Sequence, residues 1–177
     1  MFAAWLVETF ALSSGSRVLD VAGGKGDVSI ELAQHGVACT VVEPNLRQPT
    51  KRRAPTRAGA SARAAPAVRW REAMFVGDEA DLSAHDLIIG LHPDQATEPI
   101  VDAALQTRMP FAVVPCCVFA SERPRTLRTE GGRDIPVVAY GEFVEYLQRK
   151  ATAAGRYCHL AFLPVRGKNR VLYAHAP

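Results

Sequence analysis

The 177 residues are 48% apolar, 22% charged and 7% aromatic, a balance that excludes disordered, collagen-like and repetitive fibrous chains and points to one globular domain spanning residues 1–177. A net charge of +3 is too small for the whole protein to act as a polycation on nucleic acid. The four cysteines, Cys39, Cys116, Cys117 and Cys158, show no Cys-x-x-Cys spacing, so no metal site is expected, and the expected compartment is reducing and intracellular, cytoplasmic rather than nuclear.

Phe2 to Leu12 places Phe2, Trp5, Leu6, Thr9 and Phe10 on one helical stripe, and Ser13 to Ser16 ends it. The segment carries no basic leader or small-residue cleavage site, and no apolar run reaches the ~18 residues of a bilayer span. No membrane association is expected. Arg17 to Val21 reads as a strand, followed by glycines and by Val28 to Gln34 with helical spacing, Gly36 standing where a C-terminal cap belongs. Val37 to Val42 is a second strand ending in Glu43, which completes a βαβ unit.

Residues 44–67 contain four prolines, so a flexible loop is expected there. Between Arg47 and Arg71 stand eight Lys or Arg residues and no acid. That excess would attract phosphates if gathered on one face, and is otherwise a solvated loop of biased composition. Val68 to Phe75 and Asp86 to Leu91 read as strands, Thr97 to Leu105 as a helix, and Phe111 to Val114 as a strand stopped by Pro115. Ser121 to Asp134 has the composition of a loop. Tyr140 to Ala154 is a helix with Phe143, Val144, Leu147 and Ala151 inward. Cys158 to Val165 and Arg170 to Ala174 form a hairpin around Arg166 to Asn169. The alternation predicts an α/β fold, a Rossmann-like doubly wound, mostly parallel sheet with a C-terminal antiparallel hairpin, whose ligand sits beyond the carboxyl ends of the strands.

Asp20-Val21-Ala22-Gly23-Gly24-Lys25-Gly26-Asp27 falls at the first strand-to-helix turn, where glycine allows a sharp bend and close approach of a ligand. Glu43 follows Gly23 by 20 residues, where a carboxylate can accept hydrogen bonds from a ribose diol. The Gly-x-Gly-x-x-Gly spacing of nicotinamide sites is absent. The segment resembles the first motif of class I S-adenosylmethionine-dependent methyltransferases, an acid followed by Gly-x-Gly-x-Gly, with Ala22 in place of the first glycine. The resemblance implies S-adenosylmethionine as cofactor, Asp20 near its amino-acid end, Ala22, Gly23, Gly24 and Gly26 as its cradle, Glu43 on its ribose, and Asp78 after Gly77 on its adenine.

A second constellation runs Gly90-Leu91-His92-Pro93-Asp94-Gln95-Ala96-Thr97-Glu98, then Pro115-Cys116-Cys117, at the ends of two neighbouring strands. It resembles a methyltransferase-domain subfamily with Leu-His and Pro-Cys-Cys motifs, found in glutathione-S-transferase C-terminal-domain-containing proteins and, more distantly, in a tRNA ribose methyltransferase. Gln95 to Phe119 is the best match, and Asp94 departs from it where the relatives carry Cys-Gly. The implied site includes Leu91 on the cofactor and His92, Cys116 and Cys117 as catalytic candidates.

His92 would serve as the base, or only shape its loop by bonding the backbone. Cys116 or Cys117 would act as a nucleophile toward a pyrimidine ring, or simply pack. Neither the Lys-Asp-Lys-Glu nor the Asn-Pro-Pro-Tyr type of motif is present, so the acceptor atom is open. The resulting expectation is a methyltransferase acting on RNA through segment 47–71, with a partner protein able to supply recognition. A non-catalytic adapter of the same fold and another Rossmann nucleotide-binding protein are the alternatives.

Overall fold

The computed structural model describes residues 1–46, 68–77 and 82–177. Helices α1 (Phe2–Thr9), α2 (Asp27–Gln34), α3 (Thr97–Thr107) and α4 (Tyr140–Ala153) accompany strands β1 (Arg17–Val21), β2 (Ala38–Val42), β3 (Arg69–Arg71), β4 (Leu87–Leu91), β5 (Phe111–Val114), β6 (Thr126–Arg128), β7 (Asp134–Pro136), β8 (His159–Phe162) and β9 (Arg170–Ala174). Seven strands form one sheet in the order β3-β2-β1-β4-β5-β9-β8. The first five are mutually parallel, β9 runs antiparallel to β5, and β8 runs antiparallel to β9. This is the expected doubly wound sheet closed by a hairpin.

Strand side chains alternate between faces, so a sheet covered on both sides needs apolar residues at consecutive positions. The central strands meet that demand. Leu19, Val21 and Ile88 join Ile100 of α3 and Phe143 and Leu147 of α4 on one face, while Val18, Leu87 and Ile89 join Phe2 and Leu6 of α1 and Leu32 of α2 on the other. Trp5 also meets Tyr173 of β9 edge-on at 5.0 Å, which anchors α1 beside the terminal hairpin. Gly36, with φ +83°, ends α2 in the left-handed conformation that its position predicts.

Several boundaries differ from the sequence reading, among them the first strand of the terminal hairpin, which ends at Phe162 and not at Val165. Helix α1 stops at Thr9, and the third strand shrinks to Arg69–Arg71. The stretch expected as a loop over Ser121 to Asp134 instead contributes to a two-stranded hairpin, β6 with β7, pairing Leu127 with Ile135. Its stability comes from distant partners: Leu127 is buried against the α3–α4 face, and Arg125, just before β6, gives its guanidinium to Glu98 at 2.6 Å. Most of the basic segment, residues 47–67, and Asp78 lie outside the described residues. No helix among the described residues is long and apolar enough to cross a membrane.

Candidate functional site

Between β1 and β4 the strand order reverses, which opens a crevice at their carboxyl ends. A cleft of about 480 Å³ lies there, lined by Val21, Ala22 and Glu43 from the ends of β1 and β2, by Pro44, Asn45, Met74 and Phe75 beside them, and by His92, Asp94, Gln95, Ala96 and Pro99 beyond β4. Phe119 and Arg123, from the segment after β5, complete it.

The glycine loop does two separate jobs. A Cβ on Gly24 would meet nothing within 4 Å, and its φ is +55°; the space above it is open. A Cβ on Gly23 would strike the Asp20 carboxylate at 2.7 Å, so that glycine exists to let the loop close over Asp20. The carboxylate of Asp20 is buried and accepts the Ser29 hydroxyl at 2.7 Å, leaving Oδ1 without a partner. Burial pushes its pKa up to about 6, against the Ser29 hydrogen bond and with a further push from the charge of Glu43. Asp20 therefore lies beneath the loop, with its carboxylate out of contact with solvent.

Glu43 stands at the rim. Its Oε2 accepts the Gly24 N–H at 3.1 Å and its Oε1 the Asn45 N–H at 3.0 Å, so the backbone of the loop and of the turn after β2 fixes the carboxylate at the cleft. Helix α2 opens with Asp27, an anion where a pyrophosphate would need a positive helix end. A cationic ligand carrying a ribose and no phosphate suits this donor set better than a dinucleotide.

The backbone around the cleft is strained, mostly on the side opposite Glu43. Among the described residues six non-glycine positions have positive φ, and four of them, Ala22 (54°), His92 (54°), Asp94 (48°) and Phe119 (49°), line the cleft. Such conformations cost of order 1–2 kcal/mol each and concentrate at working sites. Ala22 occupies the place of the motif's first glycine, and its φ shows why glycine suits that place. Gly90 permits the turn after β4, because a Cβ there would meet Ile100 at 2.7 Å and Pro93 at 2.9 Å. His92 N–H continues the sheet to Val114 O at 3.0 Å. Burial lowers the His92 pKa, and the charge of Lys168 lowers it further against Asp94 and the Pro115 backbone, so the imidazole is neutral at pH 7 and able to accept a proton.

Leu91 ends β4, half-buried, and leads into this turn. Cys116 is buried and Cys117 half-buried at the end of β5. Cys116 donates its thiol to Asp94 Oδ1 at 3.0 Å. Burial first, and the neighbouring Asp94, push its pKa up to about 12, the reverse of what a nucleophilic thiol needs.

Glu98, which the sequence places at the end of the second constellation without a role, is the structural hub of this side. It receives Arg125 at 2.6 Å, Tyr146 at 2.7 Å and Lys150 at 2.7 Å. Burial alone would raise its pKa, yet these three partners hold it down to about 2. They fasten α3, which follows the His92 turn, to α4 and to the β6–β7 hairpin.

No family model and no curated protein matches the sequence. Solved structures do match in shape. A precorrin-6y C5,15-methyltransferase from Geobacter metallireducens superposes with a TM-score of 0.58 at 17% identity, over 97% of this chain and 84% of that one. The Burkholderia thailandensis 1,6-didemethyltoxoflavin-N1-methyltransferase, solved with 1,6-didemethyltoxoflavin and S-adenosylhomocysteine, gives 0.55 at 14% over 97% and 74%. A sugar N-methyltransferase from Streptoalloteichus gives 0.56 at 13% over 99% and 87%. The architecture is thus the Rossmann-like methyltransferase fold.

Proposed function

We propose that this chain is an S-adenosylmethionine-dependent methyltransferase of the subfamily with Leu-His and Pro-Cys-Cys motifs, and that its acceptor is RNA. The observation that carries the first part is Glu43, held by Gly24 and Asn45 at the edge of a cleft that opens beside an unobstructed glycine. Glu43 would hold the ribose hydroxyls, Pro44 and Phe75 would cover the adenine, and Ala22 and Gly24 would leave room for the sulfonium side. When bound, the cofactor supplies a methyl carbon already activated for in-line displacement. His92, neutral and facing the cleft, takes the acceptor's proton, and the strained turn that carries it holds its ring in place. Supporting RNA are the eight basic residues of segment 47–71 and the exposure of Arg69 and Trp70 on edge strand β3, a pairing of cation and aromatic face suited to a single strand.

Calorimetry on the full chain tests the first part. S-adenosylmethionine and S-adenosylhomocysteine are expected to bind and NAD not; NAD binding as tightly as either would overturn the reading. For RNA, replacing Arg52 and Arg53 by Gln should flatten the dependence of binding on salt, and an unchanged slope would remove the basic segment from the proposal.

A further inference from the structure

We infer that Asp94, Cys116 and Cys117 form a binding site for a soft divalent cation, zinc in the first instance, on the flank of the cleft. The three residues come from the ends of β4 and β5, which pair in parallel up to Leu91 and Val114. One ligand atom from each lies within 4.8 Å of the other two. Zinc takes thiolate at ~2.3 Å and carboxylate at ~2.0–2.2 Å in a tetrahedron, which sets its donor atoms roughly 3.5–3.8 Å apart. The present contacts, from 3.0 Å for Cys116 to Asp94 up to the 4.8 Å limit, bracket that separation, so the three donor atoms already stand near the spacing that zinc requires. Spacing in the chain hides it: adjacent cysteines and an aspartate 22 residues earlier match no linear metal motif.

Two further features fit. Asp94 is exposed, lines the cleft and sits in a left-handed conformation at φ +48°, whereas Cys116 is buried and Cys117 half-buried. An ion there would be gripped by sulfur on the protein side and reached from the cleft. Three protein ligands leave the fourth position open, the arrangement of zinc sites that bind and polarise a substrate atom. Binding balances as follows: each thiol gives its proton to solvent, the two thiolates and the Asp94 carboxylate coordinate the ion, and two protons leave per zinc. The site then carries one net negative charge, close to Lys168, whose charge already acts on His92. On the methyltransferase reading the open position would take the acceptor's donor atom; the metal site itself does not depend on that reading.

The test titrates Cd²⁺, a spectroscopic stand-in for zinc, into the full chain after reduction and removal of metal. The expected result is a thiolate-to-metal charge-transfer band that saturates at one ion per chain, with release of two protons, and that zinc competes away. Losing an outer partner of a metal ligand already costs ~10–100-fold in affinity, so Cys117→Ser and Asp94→Asn should each weaken binding by at least about tenfold, while Cys158→Ser leaves it unchanged. Cys117 is the half-buried thiol, so its variant is the one expected to fold if Cys116→Ser does not. Absence of a saturating band, or affinity unchanged in both the Cys117 and Asp94 variants, overturns the inference. Calorimetry with S-adenosylhomocysteine on the same metal-free protein separates the two proposals: nucleoside binding without cadmium binding sinks only the metal site, and the converse sinks only the methyltransferase reading.

Discussion

The two sides of the cleft are built by different means. On the β1–β2 side, backbone N–H groups, bare glycines and one carboxylate make the surface, with a second carboxylate, Asp20, sealed underneath. On the β4–β5 side, a run of side chains with His92 and Asp94 in left-handed backbone is held by an ionic hub at Glu98. Shape constrains the first side and chemistry the second. A side made of backbone admits one ligand outline and tolerates few substitutions, whereas a side made of side chains on an anchored turn can be altered residue by residue.

The sharpest way to break that contrast is Gly24→Asp. The new side chain enters open space, so the fold should lose only about 1–2 kcal/mol for a left-handed non-glycine residue, while S-adenosylhomocysteine binding by calorimetry should fall by at least ~100-fold, as a carboxylate fills the approach path and repels Glu43. If binding survives, the glycine side is not the cofactor side.

Asp20→Asn probes what lies beneath. Asp20 is raised from 3.8 to about 6, so the fold holds its proton more tightly than the unfolded chain does. The cost of ionising it is absent below pH 4, grows between about 4 and 6, and is complete above that. The Asn variant escapes this cost and should gain on the wild type by roughly 2–3 kcal/mol between pH 4 and 7 in urea unfolding; a gap that does not change with pH would contradict the assignment. Gly23→Ala, by contrast, forces a Cβ against that carboxylate and should cost about 1–3 kcal/mol at any pH.

The chemical side is sharpened by the pH dependence of methyl transfer. Because burial and Lys168 lower the His92 pKa, the acidic limb of the rate should have its midpoint below the ordinary histidine value of ~6.5, and it should disappear in His92→Ala. A limb at or above that value would exclude His92 as the base. The smallest effect belongs to Ala22→Gly, which relieves a φ of 54° and should stabilise the protein by about 1 kcal/mol.

Legibility follows the same division. The β1–loop–α2–β2 unit is readable because apolar runs such as Val18-Leu19 need two covered faces and because glycines mark a turn that other residues adopt only at a cost. Glu43 is readable for the same local reason: it ends a strand at a fixed distance from the loop. The β6–β7 hairpin is not, because Leu127 and Arg125 owe their order to Glu98 and α4, far away in sequence. Nor is the burial of Asp20, since an acid on the wall and an acid under the floor have the same letter. The contact of Asp94 with Cys116 arises only when two strand ends meet, and the left-handed turns that bring it about carry no glycine to announce them. The role expected of Asp78 lies outside the described residues.

Glu98 binds one helix, one hairpin and the helix behind them through a single carboxylate. Those three pieces consequently shift as one block or not at all, and a guest cannot make room for itself by prising up the hairpin. Adaptation to acceptors of different bulk falls to the opposite bank, where Met74 and Phe75 border the gap and Met74 is exposed.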